Sequence, residues 1–142
     1  MRKTVNYLLL TLLLCATTLL PALAQPPVPD EKLAMLAALD FLELADRDDF
    51  AQCWESSSPL FRAKIDKETW LQEVGHMRRQ YGENRSRALQ FVRPLDPSSD
   101  SGNQPSLFLI FRSAFAQKTV AEMVTLSKAG EDQWRVAGYS IQ

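Results

Sequence analysis

Residues 66–93, DKETWLQEVGHMRRQYGENRSRALQFVR, hold a change of hydrophobic period from helix to strand. Asp66 is placed to cap a helix, Glu68 favours its first turn, and Gly82 suits the position just past a helix end. Trp70, Val74, Met77 and Tyr81 recur at i, i+4, i+7, i+11, one apolar stripe about 60° wide. Arg78 lies about 80° from Trp70, inside the packed flank of that stripe. An arginine held away from bulk water needs a carboxylate or carbonyls. His76, the single histidine, lies with Gln72 and Arg79 on the opposite, polar face. Beyond Gly82 the spacing turns to alternation, and residues 89–93 read as the first strand.

Working outward, two helices are expected before this segment. Asp30 is the expected N-cap of a helix over residues 31–46, with Glu31 placed against the positive end of its dipole. Lys32, Asp40, Glu43 and Arg47 fall within one stripe of about 80°, and Leu33, Met35, Leu36, Leu39, Phe41, Leu42 and alanines occupy most of the circumference. Such a helix is expected to be covered on most sides. A shorter helix over residues 49–56 buries Phe50, Cys53 and Trp54, and Ser56-Ser57-Ser58-Pro59 ends it. Leu60, Phe61 and Ile65 then lead to the cap at Asp66.

On the other side, residues 107–115, 120–126 and 134–141 read as three more strands. A polar loop over residues 96–105 and a tight turn at Gly130-Glu131-Asp132 separate them. Helices followed by an antiparallel meander make the chain α+β: three N-terminal helices packed on a curved four-stranded antiparallel sheet, cone-like in form. Glu122 shares a strand face with Val120, Val124 and Leu126, and Arg112 shares one with Phe108 and Ile110. Arg78, Glu122 and Arg112 are the charges that look buried.

The first 24 residues follow the layout of a secretory signal peptide. Arg2 and Lys3 precede an apolar run over residues 7–20, and Pro21 and Ala22-Leu23-Ala24 follow it. A run of roughly 14 residues is shorter than the ~20 of a membrane-spanning helix, so no transmembrane anchor is expected in the mature chain. Leu14 stands where a bacterial lipobox has Gly, Ala or Ser before its cysteine, which weighs against lipidation at Cys15. Cleavage after Ala24 discards Cys15 and leaves Cys53 as the one thiol, so no internal disulfide can form. Beside Trp54 in a packed helix, Cys53 is expected to be buried, with an intermolecular partner as the alternative. Cleavage also leaves 14 Lys+Arg against 17 Asp+Glu, a net charge of −3 that argues against a nucleic-acid partner. Residues 25–29, QPPVP, read as an extended tether, and residues 30–142 as a single domain.

Several of these positions together resemble a family. Trp54, Phe61, Trp70, Arg78, Tyr81-Gly82, Arg87, Glu122 and the closing Asp132-Gln133-Trp134-Arg135-Val136-Ala137-Gly138-Tyr139 are similar to the bacterial domain of unknown function 4019. The resemblance runs from about Glu31 to Gln142. It implies a small exported domain of cystatin-like or nuclear-transport-factor-2-like cone shape, without an established activity. Cys53 stands where members often carry serine, so the resemblance implies no family-wide thiol chemistry.

Arg78 and Glu122, joined by Arg87 and Tyr139, are either a buried polar pair that fixes helix to sheet or the polar end of a ligand pocket. Trp54, Trp70 and Trp134 are expected core aromatics. One histidine without metal-ligand spacing predicts no metal site, and the sequence contains no glycine-rich phosphate loop. No catalytic, cofactor-binding or metal-ligating residue is expected, and no cofactor. The leading expectation is a non-enzymatic binding or interaction module of the periplasm or cell envelope, taking a small ligand or an envelope protein. An enzyme with Glu122 as general base in a small apolar pocket is one alternative. A structural subunit forming a homodimer through the outer sheet face is another.

Overall fold

The computed structural model describes residues 30–97, 103–130 and 133–142. The expected signal peptide with Cys15, the tether, the middle of the 96–105 loop and the Glu131-Asp132 turn lie outside these described residues. Among the described residues four helices come first: α1 (Asp30–Asp46), α2 (Phe50–Ser56), α3 (Pro59–Lys64) and α4 (Lys67–Tyr81). Four strands follow: β1 (Asn84–Leu95), β2 (Ser106–Phe115), β3 (Thr119–Lys128) and β4 (Trp134–Ile141). They pair in chain order as an antiparallel meander, so the α+β arrangement of helices followed by sheet is the one expected.

Local chemistry sets the helix ends. Asp49, Ser58 and Asp66 each accept a hydrogen bond from a backbone N–H of the following first turn, the donors being Gln52, Phe61 and Thr69. The Ser58 cap corrects the expectation of three helices. Pro59 sits in the first turn behind it, where a missing N–H is tolerated, and the segment read as a break winds into α3. Asp30 is the first residue of α1 rather than its cap, and its carboxylate accepts from Lys128 Nζ at 2.9 Å. At the end of α4, Gly82 takes φ 74°, ψ −161° and its N–H bonds to the Arg78 carbonyl.

β1 is much longer than the expected 89–93. Register shifts between Asn84 and Ser86 and between Leu89 and Phe91 break its alternation, which erases the period-two signal from the sequence. In β2, Leu107, Leu109, Phe111, Ser113 and Phe115 are buried, while Phe108, Ile110, Arg112 and Ala114 alternate with them on the outer face. Arg112 is exposed there, which corrects its reading as a buried-looking charge. In β3, Val120, Glu122, Val124 and Leu126 take the inner side.

The core lies between that side and α1. Ala34, Ala38, Phe41, Leu42 and Ala45 pack against Leu107, Leu109, Phe111, Val124, Leu126 and Val136. Each such Leu, Val or Phe contributes about 1.5–3 kcal/mol by leaving water. Phe41, Phe61, Trp70 and Tyr139 stack as a chain of tilted and edge-on rings with centroids 5.0–6.2 Å apart. Trp70 and Trp134 are core residues as expected, whereas Trp54 is only half-buried, donating its Nε1–H to the Ile65 carbonyl at 2.9 Å. Coverage of α1 is one-sided: Leu36 and Leu39 remain 47% and 41% exposed, against the expectation that most of the helix would be covered.

The backbone at Gly82 excludes side chains, since a Cβ there would adopt an unfavourable positive φ and lie 3.1 Å from the Ala116 Cβ. Gly82→Ala should therefore destabilise the fold by about 1–3 kcal/mol in urea unfolding. An unchanged midpoint would show that the α4–β1 corner does not need this conformation.

Candidate functional site

The expected polar residues meet where the C-terminal ends of α1 and α4 reach the sheet. Asp46 closes α1, Arg78 lies in the last turn of α4, and Arg87, Ser113, Glu122 and Tyr139 come from β1, β2, β3 and β4. Both strand pairings that cross at this point place Ser113 opposite Arg87 and opposite Val120, two residues from Glu122. A cation in the last turn of α4 also suits the negative end of that helix.

Glu122, with 0% exposure, is bonded on both oxygens. Its Oε1 accepts from Arg78 Nη1 at 2.8 Å and from the Tyr139 hydroxyl at 2.7 Å. Its Oε2 accepts from Arg87 Nε at 2.7 Å and from the Ser113 hydroxyl. Arg78 further donates Nη1–H to the Tyr139 oxygen at 3.0 Å and Nη2–H to Asp46 Oδ1. Arg87 grips Asp46 with both terminal nitrogens, at 2.8 and 3.0 Å. The Arg78 guanidinium also stands 4.9 Å from the Phe115 ring centre. Two guanidiniums and two carboxylates balance to zero charge.

The electrostatics follow from that balance. Burial alone would lift the Asp46 carboxyl, but the hydrogen bonds and charges of Arg87 and Arg78 outweigh it and hold the group below the ordinary carboxylate value. Burial alone would likewise lower both arginines. The facing acceptors and the charges of Glu122 and Asp46 raise Arg78 and Arg87 instead, so both stay cationic. Burial, and then the charge of Glu122, pushes the Tyr139 phenol well upward, keeping its hydroxyl a donor.

Arg78, Glu122, Arg87 and Tyr139 are thus brought together, and Asp46 and Ser113 complete the group. Asp46 is hard to single out in sequence because it ends a helix among Arg47, Asp48 and Asp49, where a solvated charge run is the ordinary reading. Ser113 carries no signal beyond its alternation with Phe111 and Phe115. At the rim, a cleft of about 320 Å³ is lined by Asp46, Asp48, Glu83, Arg78 and Arg79. Three carboxylates against two arginines make it a poor place for an anion.

Cys53 is fully buried, and its thiol donates to the Phe41 carbonyl at 3.5 Å. Burial pushes the thiol up to about 12, so it is unreactive at neutral pH. His76 is exposed beside the Gln80 amide. Among the described residues, no group of three or more His, Cys, Asp or Glu is placed to hold a metal ion, and no helix is long and apolar enough to cross a membrane.

Two larger hollows have linings that do not include Glu122. One, of about 430 Å³, runs between α1 and the start of β4, lined by Leu33, Leu36, Ala37, Phe41, Leu44 and Trp134 with Asp40 and Arg135 at its polar positions. The Trp134 Nε1–H is buried without a hydrogen-bond partner among the described residues. The other, of about 400 Å³, lies between α3 and the sheet ends and includes Leu60, Ile65, Thr125, Gly138 and Tyr139, the last of which bonds Glu122.

A family model described as a protein of unknown function (DUF4019) matches residues 37–139. No curated protein and no solved structure matches the chain.

Removing the Glu122 charge leaves two buried arginines with Asp46 as their one counter-charge. Glu122→Gln should cost about 3–5 kcal/mol of stability, measured by denaturant unfolding, the magnitude of breaking a buried pair. A loss below about 1 kcal/mol would mean that the network does not hold the fold. Asp46 has a depressed folded value, so its contribution is complete above the ordinary carboxylate range near 4 and is lost as pH falls through the folded value. The stability gap between the wild type and Asp46→Asn should therefore be widest near neutrality and shrink as the pH falls below about 4. A gap that stays constant down to acid unfolding would contradict the pairing of Asp46 with Arg78 and Arg87.

Proposed function

The chain belongs to the DUF4019 family of proteins of unknown function, and on that premise we propose that it is a non-catalytic binding or interaction module exported to the periplasm or cell envelope. One observation carries the reading: Glu122, the one carboxylate in the four strands and the candidate base, has all of its acceptor capacity taken by four donors. A general base needs a lone pair within hydrogen-bond reach of a substrate proton. The enzyme alternative would require that Glu122 first lose two charge-assisted bonds and two hydroxyl bonds. Neither of the two larger hollows is lined by Glu122, although Tyr139, which bonds it, lines the second.

The surface that recommends binding is the hollow beside α1. Its wall is mostly leucine, alanine, phenylalanine and tryptophan, and Asp40, Ser56, Gln133 and Arg135 supply its polar groups. A ligand or partner that lays apolar atoms on α1 and meets those polar groups would use both features. Export is supported by the charged, apolar and small-residue layout of residues 1–24.

Native mass spectrometry of the protein purified from the envelope of its own cells tests both parts. The expected species begins at Gln25 and carries a retained small molecule or a protein partner. A chain that keeps Met1 and fractionates with the cytoplasm would overturn export. A bare, unliganded monomer from the envelope, together with a reaction lost in Glu122→Gln at unchanged stability, would overturn the non-catalytic reading.

A further inference from the structure

We infer that the exposed side of α1 is a self-association surface that takes a second copy of this chain in antiparallel orientation. The inference rests on the interaction-module reading and names its partner. Lys32, Leu36, Leu39 and Glu43 follow one another at spacings of four, three and four, the repeat that lines up a contact seam along one helix. All four are exposed, with Leu36 and Leu39 at 47% and 41%. Half-buried Leu33, Ala37 and Leu44 continue the apolar surface sideways into the hollow before Trp134. A helix of this apolar content with two leucines facing water is an incomplete packing solution.

The order of charges along the seam selects the occupant and its direction. A twofold contact places residue i of one copy on residue j of the other, and j on i. Antiparallel helices centred between Leu36 and Leu39 bring those leucines together and set Lys32 of each copy against Glu43 of the other. A parallel contact would instead set Lys32 on Lys32 and Glu43 on Glu43. Glu43 Oε1 accepts from Arg47 one turn on, while its Oε2 has no partner among the described residues, so the carboxylate retains an oxygen for an incoming ammonium.

Other faces suit a second copy less well. The outer sheet face exposes Phe91 at 47% but also carries Arg93 and Arg112, and no carboxylate lies on it among the described residues. A twofold contact there would bring arginines toward one another. The free edge of β1 carries Pro94 and two bulges, which interrupt a continuing ladder. A seam of about three helical turns is small, so the dimer should be weak, with a dissociation constant in roughly the micromolar range.

Sedimentation velocity of the exported protein over about 1 µM to about 1 mM reads the equilibrium. The wild type should pass from monomer to dimer across that range. Leu36→Glu combined with Leu39→Glu should abolish the dimer. Lys32→Glu, which turns both attractions into repulsions, should raise the dissociation constant about tenfold or more. The double variant Lys32→Glu with Glu43→Lys should bring it back toward the wild-type value, because the complementarity is restored with its signs reversed. The charge variants lie on solvent, so they test the seam even if the leucine variant fails to fold. A wild type that stays monomeric throughout, or a dimer indifferent to Lys32→Glu, or no recovery in the double variant, overturns the inference. A persistent monomer that nonetheless retains another molecule from the envelope would remove the second copy while leaving the interaction reading standing.

Discussion

A carboxylate with no solvent exposure in the middle of a sheet is tolerable only while its charge is matched, and the architecture is arranged around that demand at Glu122. Its four donors come from α4, β1, β2 and β4, and the two arginines reach on to Asp46 at the end of α1. One buried charge therefore ties two helices to all four strands. The apolar core supplies most of the favourable free energy, but it is non-directional. The ion network is directional, and it fixes where the α1 and α4 ends sit on the sheet.

Charge is also divided between the two layers. Residues 30–83 carry twelve carboxylates and seven Lys+Arg, whereas Glu122 is the one carboxylate in the strands. The helical layer is thus acidic and the outer sheet face cationic. The charged groups around Glu122 are taken up by one another, and an apolar surface stays exposed along α1 at Leu36 and Leu39. Burial of Cys53 removes the other reactive group by the same means, since a thiol held neutral behaves as a small apolar side chain.

Much of the fold was legible because its signals are local. The cap at Asp66, the glycine after Tyr81 and the stripe Trp70-Val74-Met77-Tyr81 define α4 without reference to anything distant. β4 could be read to the residue because alternation and turn residues bound it. α3 was missed because Ser58-Pro59 serves equally as the end of one helix and the start of the next. Most of β1 was missed because its bulges break the period on which strand reading depends. Within the site, Arg78 and Glu122 announced themselves as charges on apolar faces. Asp46 and Ser113 did not, since a carboxylate at a helix end and a serine in a strand are each ordinary.

Periodicity and caps are properties of neighbouring residues, so helices before strands, the inward face of β3 with Glu122 on it, and the family are all legible in the order of residues. Tertiary structure alone decided that Glu122 is sealed rather than open, that Asp46 belongs with Arg78 and Arg87, and that Leu36 and Leu39 stay on the surface. Each of these depends on which groups from distant segments arrive within hydrogen-bond or packing distance. A hydrophobic pattern says that a face can be buried, but only the finite area of the opposing sheet decides how much of it is.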